Sequence, residues 1–133
     1  MFNCFINDLH SIFDGTCDPV SLDKTSISSL SFADDLLILS ESQNGLQSAL
    51  NKLEKYCYKW QLTVNTNKTK VMIFHSRNSF ESKFFYKQNQ LTEVKEYNFL
   101  GNIIDNKGKF KRSTHELSKK ALKALFSLKK IYV

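Results

Sequence analysis

Apolar residues at Phe2, Phe5, Ile6, Leu9, Ile12 and Phe13 recur three and four apart along the first fourteen positions, and Gly15 ends the run. That spacing predicts an amphipathic helix over 1–14, stopped by a glycine. Gly15, Asp18, Pro19 and Ser21 predict a loop over 15–25. Two short apolar runs follow, Ser-Ile-Ser-Ser-Leu-Ser at 26–31 and Leu-Leu-Ile-Leu-Ser at 36–40. Each predicts a strand, so Phe32-Ala33-Asp34-Asp35 falls at or beside the turn of a hairpin.

From Ser42 to Gln61 the period changes to helical, with Leu46, Leu50, Leu53, Cys57 and Trp60 forming a stripe expected to face the core. Asn65-Thr66-Asn67 predicts a turn, Val71-Met72-Ile73-Phe74 a strand, and 75–82 a surface loop. Short strands are predicted at 84–87, 90–94 and 97–104, with Gly101 a break or bulge in the last. Ser113-Thr114-His115-Glu116 has the form of a capping box. After it, Leu117, Ala121, Ala124, Leu125 and Leu128 predict a helix with one apolar face, running to the end of the chain. Lys107-Gly108-Lys109 is the one candidate linker, dividing 1–106 from 107–133.

With 133 residues, 41% hydrophobic and 24% charged, the chain can bury one modest core and is not disordered in composition. No apolar run is long enough to cross a bilayer, and Asp8 interrupts the N-terminus before any signal-peptide core. An intracellular protein is expected. Cys4, Cys17 and Cys57 are odd in number and lack metal-ligand spacing, which predicts reduced structural thiols. His10, His75 and His115 lack ligand-like company and are expected at the surface. Trp60, Phe80, Phe84 and Phe85 are expected in the core, although exposed aromatics could stack on bases.

The net charge of +6 permits nucleic-acid binding, and its distribution says more. Lys107, Lys109, Lys111, Arg112, Lys119, Lys120, Lys123, Lys129 and Lys130 crowd the tail against Glu116 alone. A solvated helix face and a phosphate-binding face both fit that pattern. The acidic pair Asp34-Asp35 is the opposite case. Aspartate is a poor strand residue and two neighbours repel, so the pair calls for a cation such as a divalent metal, or for the solvation of an open turn.

Phe32-Ala33-Asp34-Asp35 resembles the palm signature of reverse transcriptases, in the form common in non-LTR (LINE-type) retrotransposons. Four further stretches match the family in order. Phe2 to Leu9 resembles its "LFNxFINDL" helix, Leu46 to Trp60 its palm helix, and Leu62 to Phe74 its "L-x-N-x-x-K-T-x-x-M" segment. Tyr97-Asn98-Phe99-Leu100-Gly101 is similar to its "YxFLG" primer-grip hairpin. The resemblance covers the chain to about residue 106.

The resemblance implies an α+β fold. An antiparallel palm sheet would carry the acidic hairpin, the 71–74 strand and the primer-grip strands, with the 1–14 and 42–61 helices on one face and a basic thumb-like helix over 107–133. It implies RNA-directed DNA polymerase chemistry on an RNA template, a DNA primer and dNTPs, with Mg²⁺. Asp34 would bind both metal ions, with Asp35 beside it in a lesser role. Lys68 would approach the triphosphate, or else is a solvated turn lysine. Phe32 and Ala33 would line the floor under the primer end, and Phe99, Leu100 and Gly101 would hold the primer backbone. Lys119, Lys120 and Lys123 are the candidates for the nucleic-acid backbone. It also implies a nuclear or cytoplasmic ribonucleoprotein.

The family's first catalytic aspartate lies upstream of the "LFNxFINDL" helix, and none of Asp8, Asp14, Asp18 or Asp23 matches it. One carboxylate pair does not make a two-metal cage, so the chain alone is expected to be inactive. Three readings remain open here: part of a polymerase, a truncated or domesticated nucleic-acid-binding module, and a translated relic that does not fold.

Overall fold

The computed structural model describes residues 8–15, 17–74, 82–109 and 111–131, with side chains described as far as Phe126. Helix positions before Asp8, with Cys4, His75 and Phe80, lie outside them. Two compact units are distinguished, 1–69 with 82–91, and 70–81 with 92–133.

The first unit is built around α1 (Gln43–Lys59), a helix of 17 residues. Ser42 caps it, its hydroxyl accepting from the Gly45 N–H at 2.9 Å. It ends in a Schellman motif, with Leu62 N–H donating to the Cys57 carbonyl at 2.8 Å. Gln61 takes the left-handed φ of +54° that glycine usually supplies there. The buried face comprises Gly45, Ala49, Leu50, Leu53, Tyr56 and Cys57. A 3₁₀ helix (Leu9–Phe13) lies against it and buries Leu9 and Phe13. Gly15 follows with φ +74°, the expected stop.

Two polar pins, one turn apart on α1, hold that short helix. The Tyr56 hydroxyl donates to Asp8 at 2.6 Å and Lys52 Nζ to the Ile12 carbonyl at 2.9 Å. Strand β6 (Phe85–Tyr86), paired with β7 (Asn89–Gln90), packs on α1 from later in the sequence, and Phe84, Tyr86 and Leu91 are buried. Gln47 acts there as a substitute strand. Its amide donates to the Phe85 carbonyl at 2.8 Å and accepts from the Phe85 N–H at 3.0 Å.

The expected loop at 15–25 gives way to a hairpin, β1 (Val20–Leu22) with β2 (Thr25–Ile27), whose second strand takes the start of the strand expected at 26–31. Alternation in Val-Ser-Leu and Thr-Ser-Ile allows it, and Asp23 supplies the left-handed turn residue without a glycine to announce it. β3 (Ser29–Phe32) and β4 (Asp35–Ile38) form the next hairpin.

In the second unit β5 (Lys70–Val71) pairs in parallel with β8 (Thr92–Glu93), and β9 (Glu96–Phe99) in antiparallel with β10 (Asn102–Asp105). α2 (Lys111–Ile131) contacts β10. It begins two residues before Ser113, so Ser113–Glu116 lies within the first turns instead of capping them. Ser113 is buried, and Arg112 forms an ion pair with Glu96 on β9.

The fold class is α+β. Among the described residues the strands, two to four residues long, make five separate two-stranded ladders, so the single sheet expected from the sequence is not formed. Strands this short offer too few backbone groups to recruit a third, and all but the β5–β8 pair join neighbours along the chain.

Cys17 and Cys57 are buried and not joined in a disulfide, as expected of structural thiols, and burial pushes the Cys57 thiol up. Phe84 is core, while Trp60 and Phe85 sit at the boundary, about two-fifths exposed (36% and 41%). Trp60 follows the last turn of α1, tilted against Tyr56 at 6.2 Å with Lys59 over its ring at 5.2 Å.

Gly45 tests the packing. A Cβ there would stand 2.5 Å from Ser40 Oγ and 2.8 Å from the Cys17 carbonyl. Gly45→Ala is expected to destabilise by about 1–2 kcal/mol in urea melts, overpacking outweighing the gain in helix propensity. Tyr56 tests the pins. Burial first, then the bond to Asp8, pushes its phenol up to about 12. The folded chain then keeps a proton that an unfolded tyrosine releases near 10. Stability should hold to about pH 10 and fall as pH rises towards 12, and Tyr56→Phe should reduce that fall.

Candidate functional site

Hairpin β3–β4 turns through two residues, Ala33 and Asp34, with Phe32 directly opposite Asp35. Ala33 takes φ +53°, the positive first turn position that matches the twist of a tight hairpin. Asp34 therefore sits at the tip and Asp35 at the first strand position after it, both exposed. Directly opposed residues share a face, so Leu30, Leu37, Phe32 and Asp35 lie on one side and Ser29, Ile38, Ser31 and Leu36 on the other. Phe32 is 64% exposed on the face that holds Asp35. The pair thus occupies an open turn flanked by an uncovered aromatic ring.

His10 meets the other face. Its Nδ1 lies 2.7 Å from Ser29 Oγ and its Nε2 2.9 Å from Ser31 Oγ. His10, expected at the surface, is half-buried, and both of its nitrogens are bonded to serine hydroxyls. Nothing in the sequence foretold it, because the partners are 19 and 21 positions away.

Lys68 stands on a separate turn after α1. Asn65 builds that turn, its side-chain oxygen accepting from the N–H groups of Asn67 at 3.1 Å and Lys68 at 3.2 Å. The Asn65 carbonyl takes the Thr69 N–H at 3.0 Å, and Lys68 is exposed.

In the second unit Leu100 and Gly101 are the two turn residues of hairpin β9–β10, with φ +51° and +82°. Both values are positive, which defines a type I′ turn, so Gly101 closes a hairpin where a break or bulge within one strand was expected. Phe99 is the last residue of β9. Lys120 of α2 reaches this turn, its Nζ 4.0 Å from where a side chain on Gly101 would begin. Lys119 pairs with Glu116 at 3.4 Å, and Lys119, Lys120 and Lys123 are all exposed.

Two adjacent carboxylates on an exposed turn suit a hard divalent cation from one side. Among the described residues no group of three or more His, Cys, Asp or Glu converges on a common point, so these residues do not close a metal site. No described helix is long and apolar enough to cross a membrane.

A family profile for reverse transcriptase (RNA-dependent DNA polymerase) matches residues 1–104, which include the acidic hairpin, α1, the Asn65 turn and the Leu100–Gly101 turn. The chain belongs to the reverse transcriptase family. It is also 32% identical over 84 residues to a transposon-derived protein of Caenorhabditis elegans, a match taking in 60% of this chain and 29% of the worm protein. The chain thus spans less than a third of that relative. No solved structure matches it.

The turn of β9–β10 is the most exacting backbone among these candidates. Leu100→Asn, which tolerates a left-handed backbone, is expected to stabilise that hairpin by about 1 kcal/mol, and Gly101→Ala to weaken it by a similar amount. Amide exchange along β9 and β10 measures both.

Proposed function

We propose that this chain is part of the RNA-directed DNA polymerase of a non-LTR retrotransposon, with Asp34 and Asp35 at its nucleotidyl-transfer centre. The observation that carries the reading is the acidic pair on the open tip of a two-residue hairpin, inside a stretch that matches the reverse transcriptase family. A carboxylate at such a tip can approach the end of a bound primer without the strands blocking it. Phe32, exposed beside Asp35, gives a sugar or base an apolar surface to rest on.

Asp34 and Asp35 would hold Mg²⁺ from one side, and the bound ion neutralises charge on the phosphates. The remaining ligands would come from other parts of a longer polypeptide, so the chain by itself would not polymerise. Lys68, exposed on its Asn65-built turn, would offer a cation to the leaving pyrophosphate. Phe99, Leu100 and Gly101 would carry the primer backbone on a turn with almost no side-chain bulk at Gly101, and Lys120 beside it would meet a phosphate. Lys119 and Lys123 would extend that contact along α2. The setting would be a ribonucleoprotein inside the cell.

Primer extension on an RNA template by the full-length protein tests this. With Mg²⁺ and dNTPs, extension should occur and fall about a hundredfold or more in Asp34→Asn, the several kcal/mol that metal-held charge stabilisation is worth. Duplex binding that weakens steeply with salt, without any extension in the unaltered protein, would instead make it a nucleic-acid-binding module.

A further inference from the structure

Strand β3 presents its residues against the hydrophobic pattern. Leu30 and Phe32 are 47% and 64% exposed, while Ser29 and Ser31 turn towards the 3₁₀ helix. On β3 itself, then, apolar burial does not mark the inward face, although half-buried Leu36 and Ile38 of β4 share that face with Ser29 and Ser31. A slip of one residue would exchange the two faces and carry Asp35 to the other side of the hairpin. On β3 the inward face is marked instead by polar contacts.

His10 makes these contacts. One imidazole spans two hydroxyls, at 2.7 and 2.9 Å, on residues two apart that share one face of the strand. In either neutral tautomer one ring nitrogen donates and the other accepts, and a serine hydroxyl can do either, so both bonds form together. The histidine has a firm base. Tyr56 holds Asp8 at the head of the 3₁₀ helix and Lys52 holds Ile12 near its end, with His10 between them. A continuous chain of contacts thus runs from the buried helix α1, through the 3₁₀ helix and His10, into the strand that ends at the acidic turn.

We propose that His10 is the positioning residue of the acidic turn, fixing through Ser29 and Ser31 the face on which β3 delivers Phe32, Asp34 and Asp35. Its bearing on nucleotidyl transfer rests on the function proposed above; the clamp itself does not.

The test is nuclear magnetic resonance on the ¹⁵N-labelled 133-residue chain. His10→Ala should speed amide exchange along residues 30–37 about tenfold, the worth of two lost hydrogen bonds, and shift the amides of Ala33, Asp34 and Asp35. Amides of α1 should not change. His10→Asn keeps a group near Nδ1 for Ser29 and His10→Gln one near Nε2 for Ser31, so each should recover part of the protection. Ser29→Ala with Ser31→Ala should reproduce the loss, and adding His10→Ala to that pair should do nothing further. The serine pair also decides the matter if His10→Ala does not fold. Unchanged exchange and unchanged turn shifts in a folded clamp variant would overturn the proposal, as would loosening that neither Asn nor Gln reduces.

Mn²⁺ titration separates this from the function. Broadening confined to the Asp34 and Asp35 amides, and weakened in His10→Ala, supports the clamp as a positioner of a metal-binding turn. Mn²⁺ affinity that is identical in His10→Ala would overturn positioning. No broadening in the unaltered chain would count against metal binding by the turn alone, and the exchange and shift measurements would still decide on His10.

Discussion

The seating of the 3₁₀ helix on α1 is the constraint on which the first unit depends. Leu9 and Phe13 give it apolar weight, Phe13 and the nearby Cys17 being fully buried, but five residues of 3₁₀ helix have little stability of their own. Direction comes from the polar pins. A tyrosine hydroxyl on a carboxylate and an ammonium on a backbone carbonyl are short, charge-assisted bonds that fix orientation where hydrophobic contact alone would permit sliding. With the helix set, His10 has one place to be, and the hairpin that bears the acidic pair inherits its orientation from α1.

Much of this was legible. The 3.6-residue period of Leu46, Leu50, Leu53 and Cys57 located α1 to within a residue or two, because a long amphipathic stripe is the clearest signal a sequence carries. The acidic hairpin was equally clear, since two apolar runs bracket residues that do not belong in strands. What escaped notice had no local signature. The β1–β2 turn uses Asp23, and the end of α1 uses Gln61, where glycine would have marked the spot. The helix start at Lys111 was obscured by a capping box that belongs to no cap. His10 could not be found by any periodicity, because its role depends on two serines brought to it by the fold.

The candidate site divides the same way. Asp34, Asp35 and Phe32 are neighbours in sequence, so their proximity followed from the hairpin alone. The meeting of Gly101 with Lys120 joins a turn and a helix face, and sequence offered each without the other. The lysine-rich tail could be read as basic, yet not as directed towards a turn. Its ordering is unexpected in a further respect: Arg112 and Lys120 meet the β9–β10 hairpin and Ser113 is buried, while Leu117, Leu122, Leu125 and Phe126 remain 48–65% exposed.

That inversion has a thermodynamic consequence. A helix whose apolar residues already stand in water exposes little new surface on melting, and it is newly wetted apolar surface that makes the heat capacity of unfolding large. Leu117, Leu122, Leu125 and Phe126 would therefore add little to that heat capacity. At 21 residues α2 exceeds the length below which isolated helices are marginal in water. Warming such an element shortens it gradually from its ends, with a broad, shallow enthalpy in place of a peak.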